Sequence, residues 1–176
     1  MTTPALPSAE TLIDRIVERM ASQVDARRCA LVGIHSGGVW IAERLHARLG
    51  IAAPLGTIDV GLHRDDLDRS GLRQRMRASM IPFEVAGADI VLVDDVLYTG
   101  RTIRAAMNEL FDYGRPDRIR LAALVDRGGR HLPIAADFLG CGIELEDRLE
   151  VVLERGGEAS APLSLRVSPR TSTPRP

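Results

Sequence analysis

Apolar residues recur at helical spacing from residue 9 to residue 21, where Leu12, Ile13, Ile16, Val17 and Met20 fall on one face. That stripe predicts an amphipathic helix, and Ser8 stands where it can cap the first turn. A short unbroken apolar run at residues 29–34 reads as a buried parallel strand. Gly37 and Gly38 break it. A second helix follows with Ile41, Ala42, Leu45 and Leu49 inward, and Gly50 ends it. Residues 55–62 alternate apolar with small or polar side chains and predict a strand. Residues 63–80 differ, since Arg64, Asp65, Asp66, Asp68, Arg69, Arg73, Arg75 and Arg77 leave little to bury. A loop of that length inside a domain is usually functional or disordered. A short strand at 81–85 turns at Gly87 into residues 90–93, the most strand-like run in the chain. A third helix spans 101–113 with Ile103, Ala106, Met107, Leu110 and Phe111 on its apolar side, and Gly114 closes it. Further strands are predicted at 119–125, 136–143 and 149–153, the last pairing with 163–167 across Gly156 and Gly157.

Strands alternating with helices predict an α/β fold, a central and mostly parallel sheet flanked by helices. A small C-terminal β element and a mobile loop at 63–80 complete it. Residues 1–167 are expected to form a single domain, and residues 168–176, rich in Pro, Ser and Thr, a disordered tail. In such sheets ligands bind outside the carboxyl ends of the strands. That rule points to residues 34–39, to the stretch from Leu62 onward, and to residues 94–102.

Composition narrows the chemistry. With 176 residues, 45% of them hydrophobic, the chain can bury one ordinary core. A formal net charge of -1 gives no global basic field for nucleic acid, though it leaves room for a local patch. There is no lysine; all 23 basic residues are arginine. This rules out a Schiff-base lysine, a P-loop of the Walker type and the acidic pocket of a receiver domain, which would need a late lysine. An anion held by a side-chain cation must therefore meet arginine or histidine, and the planar guanidinium suits phosphate. Cys29 and Cys141 sit in apolar runs without metal-ligand spacing and are expected to be buried thiols. No secretory signal and no apolar run long enough for a membrane span are evident, so a cytoplasmic location is expected.

The chemistry concentrates in IVLVDDVLYTGRT. Ile90, Val91, Leu92 and Val93 deliver the chain to the sheet edge, where Asp94 and Asp95 are expected to emerge at the strand end. Paired carboxylates can accept hydrogen bonds from a vicinal diol and help hold Mg²⁺. Val96, Leu97 and Tyr98 lead on to Thr99, Gly100, Arg101 and Thr102 at the start of a helix. There glycine lets the backbone approach a ligand, hydroxyls donate, and the helix N-terminus favours an anion. Diol-binding carboxylates followed by a phosphate cradle fit a ribose 5-phosphate.

This run resembles the phosphoribosyl-diphosphate motif of type I phosphoribosyltransferases, and most of all that of the pyrimidine operon attenuator and uracil phosphoribosyltransferase family. GIHSGGVWIAERL (33–45) resembles the family's pyrophosphate loop and following helix, GTIDVGLHRDDL (56–67) its strand into a mobile catalytic loop, and LVDRGGRHLPIAADFLG (124–140) its base-binding end. The resemblance covers roughly residues 8–167. It implies that uracil and phosphoribosyl diphosphate give UMP and diphosphate with Mg²⁺. Arg64, Asp94 and Asp95 would be catalytic, with the metal held through the substrate and by the two aspartates. Residues 90–102 would bind phosphoribosyl diphosphate, and His35, Ser36, Gly37 and Gly38 would form the pyrophosphate loop. Val125, Asp126 and Arg127 would meet the base, while Arg130 and His131 are open to either a nucleotide or a surface role. The resemblance also implies a homodimer or higher oligomer and UMP-favoured binding of pyrimidine operon leader RNA, for which Arg15, Arg19, Arg27 and Arg28 are candidates. Two positions depart from relatives. Gly37 stands where many carry arginine, and Tyr98, a poor base at neutral pH, stands where purine-using relatives carry a carboxylate. A regulator with little or no enzyme activity, or an enzyme for another base, is the alternative.

Overall fold

The computed structural model describes residues 6–61, 78–157 and 161–170. The chain runs α1 (Ala9–Ala21), β1 (Cys29–Ile34), α2 (Gly37–Leu49), β2 (Gly56–Ile58), β3 (Asp89–Leu97), α3 (Arg101–Tyr113), β4 (Arg118–Asp126), β5 (Phe138–Gly142), β6 (Leu149–Arg155) and β7 (Leu163–Pro169). The Ser8 hydroxyl accepts from the Thr11 amide and caps α1. Gly50, at φ 60°, closes α2 in the left-handed conformation that glycine adopts without strain.

Five strands form a parallel sheet in the order β2-β1-β3-β4-β5, while β6 and β7 pair antiparallel as a separate hairpin. Side chains alternate across a strand, and the core divides accordingly. Val91 and Val93 pack on one face with Leu12, Ile16, Leu45 and the hairpin residues Val151, Leu153 and Leu163. Ile90 and Leu92 pack on the other with Ile103, Ala106 and Leu110 of α3. Successive strands add outward from β1 in one direction and from β3 in the other. The topological switch point, where α/β sheets open a crevice for ligands, therefore lies between β1 and β3.

Several expectations shift. Gly37 and Gly38 form the first turn of α2 instead of preceding it. β2 is only three residues long, and residues 81–85 form no strand. Met80 alone bridges Thr57, with two backbone hydrogen bonds of 2.8 Å. Pro82, which lacks an amide hydrogen, suits that irregular path. β3 continues through both aspartates to Leu97, because β4 offers a partner as far as Asp126. Phe111, expected inward, is 52% exposed, since the buried stripe of α3 runs through Ile103, Ala106 and Leu110. β7 reaches Pro169, so ordered chain extends past residue 167. Cys29 is buried and Cys141 half-buried, both as free thiols. Most of the expected loop, including Arg64, lies outside the described residues.

Candidate active site

The ends of β1 and β3 meet through three glycines. A Cβ on Gly33 would stand 2.6 Å from the Val39 Cα, so the turn from β1 into α2 closes tightly only with glycine there. A Cβ on Gly37 would overlap the Asp95 carboxylate, 2.5 Å from its Cγ. A Cβ on Gly38 would overlap the Val93 carbonyl and stand 3.0 Å from the Asp94 Cα. Bare backbone at these positions lets the N-terminus of α2 press against the segment carrying both aspartates. His35 and Ser36, joined by a cis peptide, are half-buried in the turn, and the His35 amide donates to the Ile58 carbonyl of β2 at 2.9 Å.

The two carboxylates lie within the strand. Asp95 lies on the α2 side, where it approaches Gly37, and the alternation of side chains slips at the aspartates, since Val93 and Val96, three apart, both pack in the core on the α1 and α2 side. Asp94 is buried and its Oδ1 accepts from the Asp95 amide at 3.0 Å; the Asp95 Oδ1 accepts in turn from the Val96 amide at 3.0 Å. Among the described residues, no group of three or more histidine, cysteine, aspartate or glutamate side chains converges to hold a metal.

Beyond Leu97 the chain turns into α3 through Tyr98, Thr99 and Gly100. Thr99 is buried, and its hydroxyl, ahead of the N-cap Gly100, accepts from the Arg101 amide at 3.2 Å. Gly100 has φ 91° and lies against Leu132 and Ile134, a conformation and a fit that favour glycine. Three successive carbonyls of this turn accept from one neighbouring segment. Leu97 O takes the Arg127 amide at 3.1 Å, Tyr98 O takes the Arg130 guanidinium, and Thr99 O takes the His131 and Leu132 amides at 3.0 and 3.1 Å. Asp126 holds Arg130 with an ion pair of 2.5 Å and receives the Gly128 amide at 2.9 Å.

The residues expected to meet a base divide. Val125 is fully buried in the core, so it can offer a ligand only backbone. Arg127 is also buried, with its guanidinium 4.1 Å from the Tyr98 ring centroid and a long 3.4 Å hydrogen bond to the Glu146 carbonyl. Burial lowers its pKa, Tyr98 offsets part of that effect, and Arg170 adds to it. Arg170 was not singled out in the sequence because it follows the last apolar run. It stands 5.2 Å from the same ring centroid and donates to the Tyr98 hydroxyl at 3.4 Å. Two guanidinium groups thus flank the Tyr98 ring. Arg15, Arg19, Arg27 and Arg28 are all exposed on and after α1, far along the chain from this turn.

The family model for the phosphoribosyl transferase domain matches residues 5–152. The chain is 51% identical over 138 residues to the bifunctional protein PyrR of Nitrosococcus oceani, covering 77% of each chain. It is 48% identical to that of Ralstonia nicotianae, covering 93% of each, and 45% identical to that of Pseudomonas aeruginosa, covering 92% of this chain and 94% of the relative. Among solved structures, a hypoxanthine-guanine phosphoribosyltransferase of Bacillus anthracis superposes with TM-score 0.63 at 14% identity, covering 85% of this chain and 87% of that one. A purine phosphoribosyltransferase of Pyrococcus horikoshii gives 0.57 at 23%, covering 77% and 83%, and at such identities the likeness concerns the fold alone. With its switch-point turns and its close kinship to PyrR proteins over most of their length, this chain belongs to the phosphoribosyltransferase family, in the PyrR group.

Proposed function

We infer that the chain transfers the phosphoribosyl group of phosphoribosyl diphosphate to uracil, giving UMP and diphosphate, and that it regulates pyrimidine operon expression. The observation that carries the reading is the contact of the glycine turn opening α2 with Asp95, which leaves an anion-binding turn and a sugar-binding carboxylate side by side. The 5-phosphate sits at the Tyr98–Thr99–Gly100 turn and the N-terminus of α3, where backbone amides and the helix dipole favour an anion. Asp94 and Asp95 accept hydrogen bonds from the ribose hydroxyls. The diphosphate lies over the turn at residues 35–38, where Gly37 and Gly38 let it reach backbone amides.

Two carboxylates without a third protein ligand among the described residues suit Mg²⁺, which keeps several waters and takes oxygens from substrate phosphates, so Asp94 and Asp95 would hold it. When bound, the ion neutralises charge developing on the departing diphosphate. The bond from the ribose anomeric carbon to diphosphate oxygen breaks, the bonding pair leaves with diphosphate, uracil N1 takes its place with inversion, and the N1 proton passes to solvent. Arg64 would add positive charge on the diphosphate side. Tyr98, flanked by Arg127 and Arg170, serves the turn's shape and not proton transfer.

The test is a forward assay with uracil, Mg²⁺ and phosphoribosyl diphosphate against orotate, hypoxanthine and adenine. Turnover with a purine and none with uracil would overturn the reading. Asp94→Asn with Asp95→Asn should weaken phosphoribosyl diphosphate binding without unfolding the protein, and unchanged affinity in calorimetry would remove the site assignment. Regulation through leader RNA predicts UMP-dependent retardation of that RNA, lost on replacing Arg15, Arg19, Arg27 and Arg28. A homodimer or larger assembly predicts a sedimenting species well above the 19.2 kDa of one chain.

A further inference from the structure

The carbonyls of Leu97, Tyr98 and Thr99 all turn toward residues 126–132. These peptides are trans. In a planar trans peptide the C=O and the following N–H point in opposite directions. Fixing the three carbonyls on one side therefore turns the amides of Tyr98, Thr99 and Gly100 to the other. Successive amides facing one side form an anion-binding concavity. Two of the three carbonyls are fixed by backbone donors: Leu97 O by the Arg127 amide, Thr99 O by those of His131 and Leu132. The middle one, Tyr98 O, depends on a side chain, that of Arg130, and Arg130 is aimed by the carboxylate of Asp126.

We propose that Arg130, oriented by Asp126, is a positioning residue for the 5-phosphate turn. It fixes the Tyr98 carbonyl and so orients the Thr99 amide toward the sugar phosphate. The inference rests on the reading of this turn as the phosphoribosyl site. It gives the segment at residues 126–132 a task distinct from contacting the base, since the Asp126 carboxylate is occupied by Arg130 and the Gly128 amide.

A direct ion pair between Arg130 and the ligand makes a prediction of opposite sign. Asp126→Asn keeps an oxygen for the Gly128 amide but loses the charge that aims Arg130. It also removes negative charge near an anionic ligand. If Arg130 met the anion directly, this change would tighten binding. If Arg130 acts through the Tyr98 carbonyl, binding weakens.

The experiment is calorimetry of the full chain with phosphoribosyl diphosphate and Mg²⁺, alongside uracil KM. No binding by the unmodified protein would remove the site reading and this inference with it. Where the unmodified protein binds, Asp126→Asn and Arg130→Gln should each weaken affinity by roughly tenfold. The double variant should bind no worse than Arg130→Gln, and uracil KM should hold. Arg130→Lys, which keeps a charge and a donor, should recover part of the loss, and it carries the test if Arg130→Gln does not fold. Tighter binding by Asp126→Asn, a loss confined to uracil KM, or full affinity in Arg130→Gln would each overturn the proposal while leaving the site reading intact.

Discussion

Gly37 and Gly38 adjoin each other, yet an added methyl group meets different obstacles at the two positions. At Gly37 it meets the end of the Asp95 side chain, which can rotate away. Gly37→Ala should therefore leave the melting temperature nearly unchanged and, on the proposed role of Asp95 as an acceptor for the sugar hydroxyls, weaken phosphoribosyl diphosphate binding roughly tenfold. Gly37→Arg carries the same Cβ, so a guanidinium supplied there comes with a misplaced Asp95. The obstacle is steric, because Gly37 is not among the glycines of positive φ. At Gly38 the methyl meets the backbone of Val93 and Asp94, which has no room to move, and Gly38→Ala should cost about 1–3 kcal/mol of stability. Denaturation and calorimetry on both variants check the contrast, and equal loss of stability in the two would contradict it. Cys29 gives a second prediction. Burial, reinforced by Asp89 and offset by Arg120, raises its thiol from 9.0 to about 11. A folded-state pKa above the unfolded one means stability that is full below the unfolded value and lost as pH rises through the folded value. The urea midpoint should fall between pH 9 and 11 and fall less in Cys29→Ala. The chain suits this measurement, for it has no lysine to titrate across that window. Parallel slopes for both proteins would exonerate the thiol.

Most elements were legible because hydrophobic period decides them locally, as in α1 with its Ser8 cap and in the β6–β7 hairpin. What escaped was set by partners distant in sequence. β3 passes through two adjacent aspartates, which as a local pattern signals a strand end, because β4 supplies a ladder as far as Asp126. β2 is shorter than its alternation suggests because, among the described residues, it lies at the sheet edge with β1 as its one neighbour in the sheet. The opposite end of the sheet hides another nonlocal pair. Arg120 of β4 donates to Asp89 of β3 at 3.0 Å and to the Gln23 carbonyl at 3.0 Å, and lies 5.2 Å from the Phe138 ring centroid. Arginine inside a strand reads as a solvated position, yet this one is 9% exposed. Asp89→Ala would strip a buried cation of its carboxylate at the strand starts, far from the ligand crevice. We expect a loss of about 2 kcal/mol, after allowing for the partial exposure of Asp89, with substrate affinity kept. A fall in affinity without a fall in stability would show that this end of the sheet communicates with the site.

Across the whole molecule, both turns at the strand ends were legible in the sequence, but what supports them was not. The motif proposed to hold the phosphoribosyl group is contiguous and therefore readable. Its supports, Arg130 on the Tyr98 carbonyl and Arg127 and Arg170 around the Tyr98 ring, come from 29 to 72 positions away and are joined only by folding. The hairpin is the most remote of them. Its apolar side belongs to the core shared with α1 and α2, and its far end brings Arg170 to Tyr98, while the Glu146 carbonyl just ahead of it receives Arg127. Thermodynamic reciprocity then applies. If docking of the hairpin favours the ligand-ready turn, ligand in the turn must favour docking of the hairpin by the same free energy. Amide exchange in β6 and β7 should slow when phosphoribosyl diphosphate and Mg²⁺ bind, and Arg170→Ala should both weaken binding and abolish that slowing. Exchange that ignores the ligand would show the two to be uncoupled. Coupled, the hairpin becomes a reporter of occupancy: its rigidity records whether the sugar phosphate is present, and anything gripping it would alter the protein's hold on phosphoribosyl diphosphate.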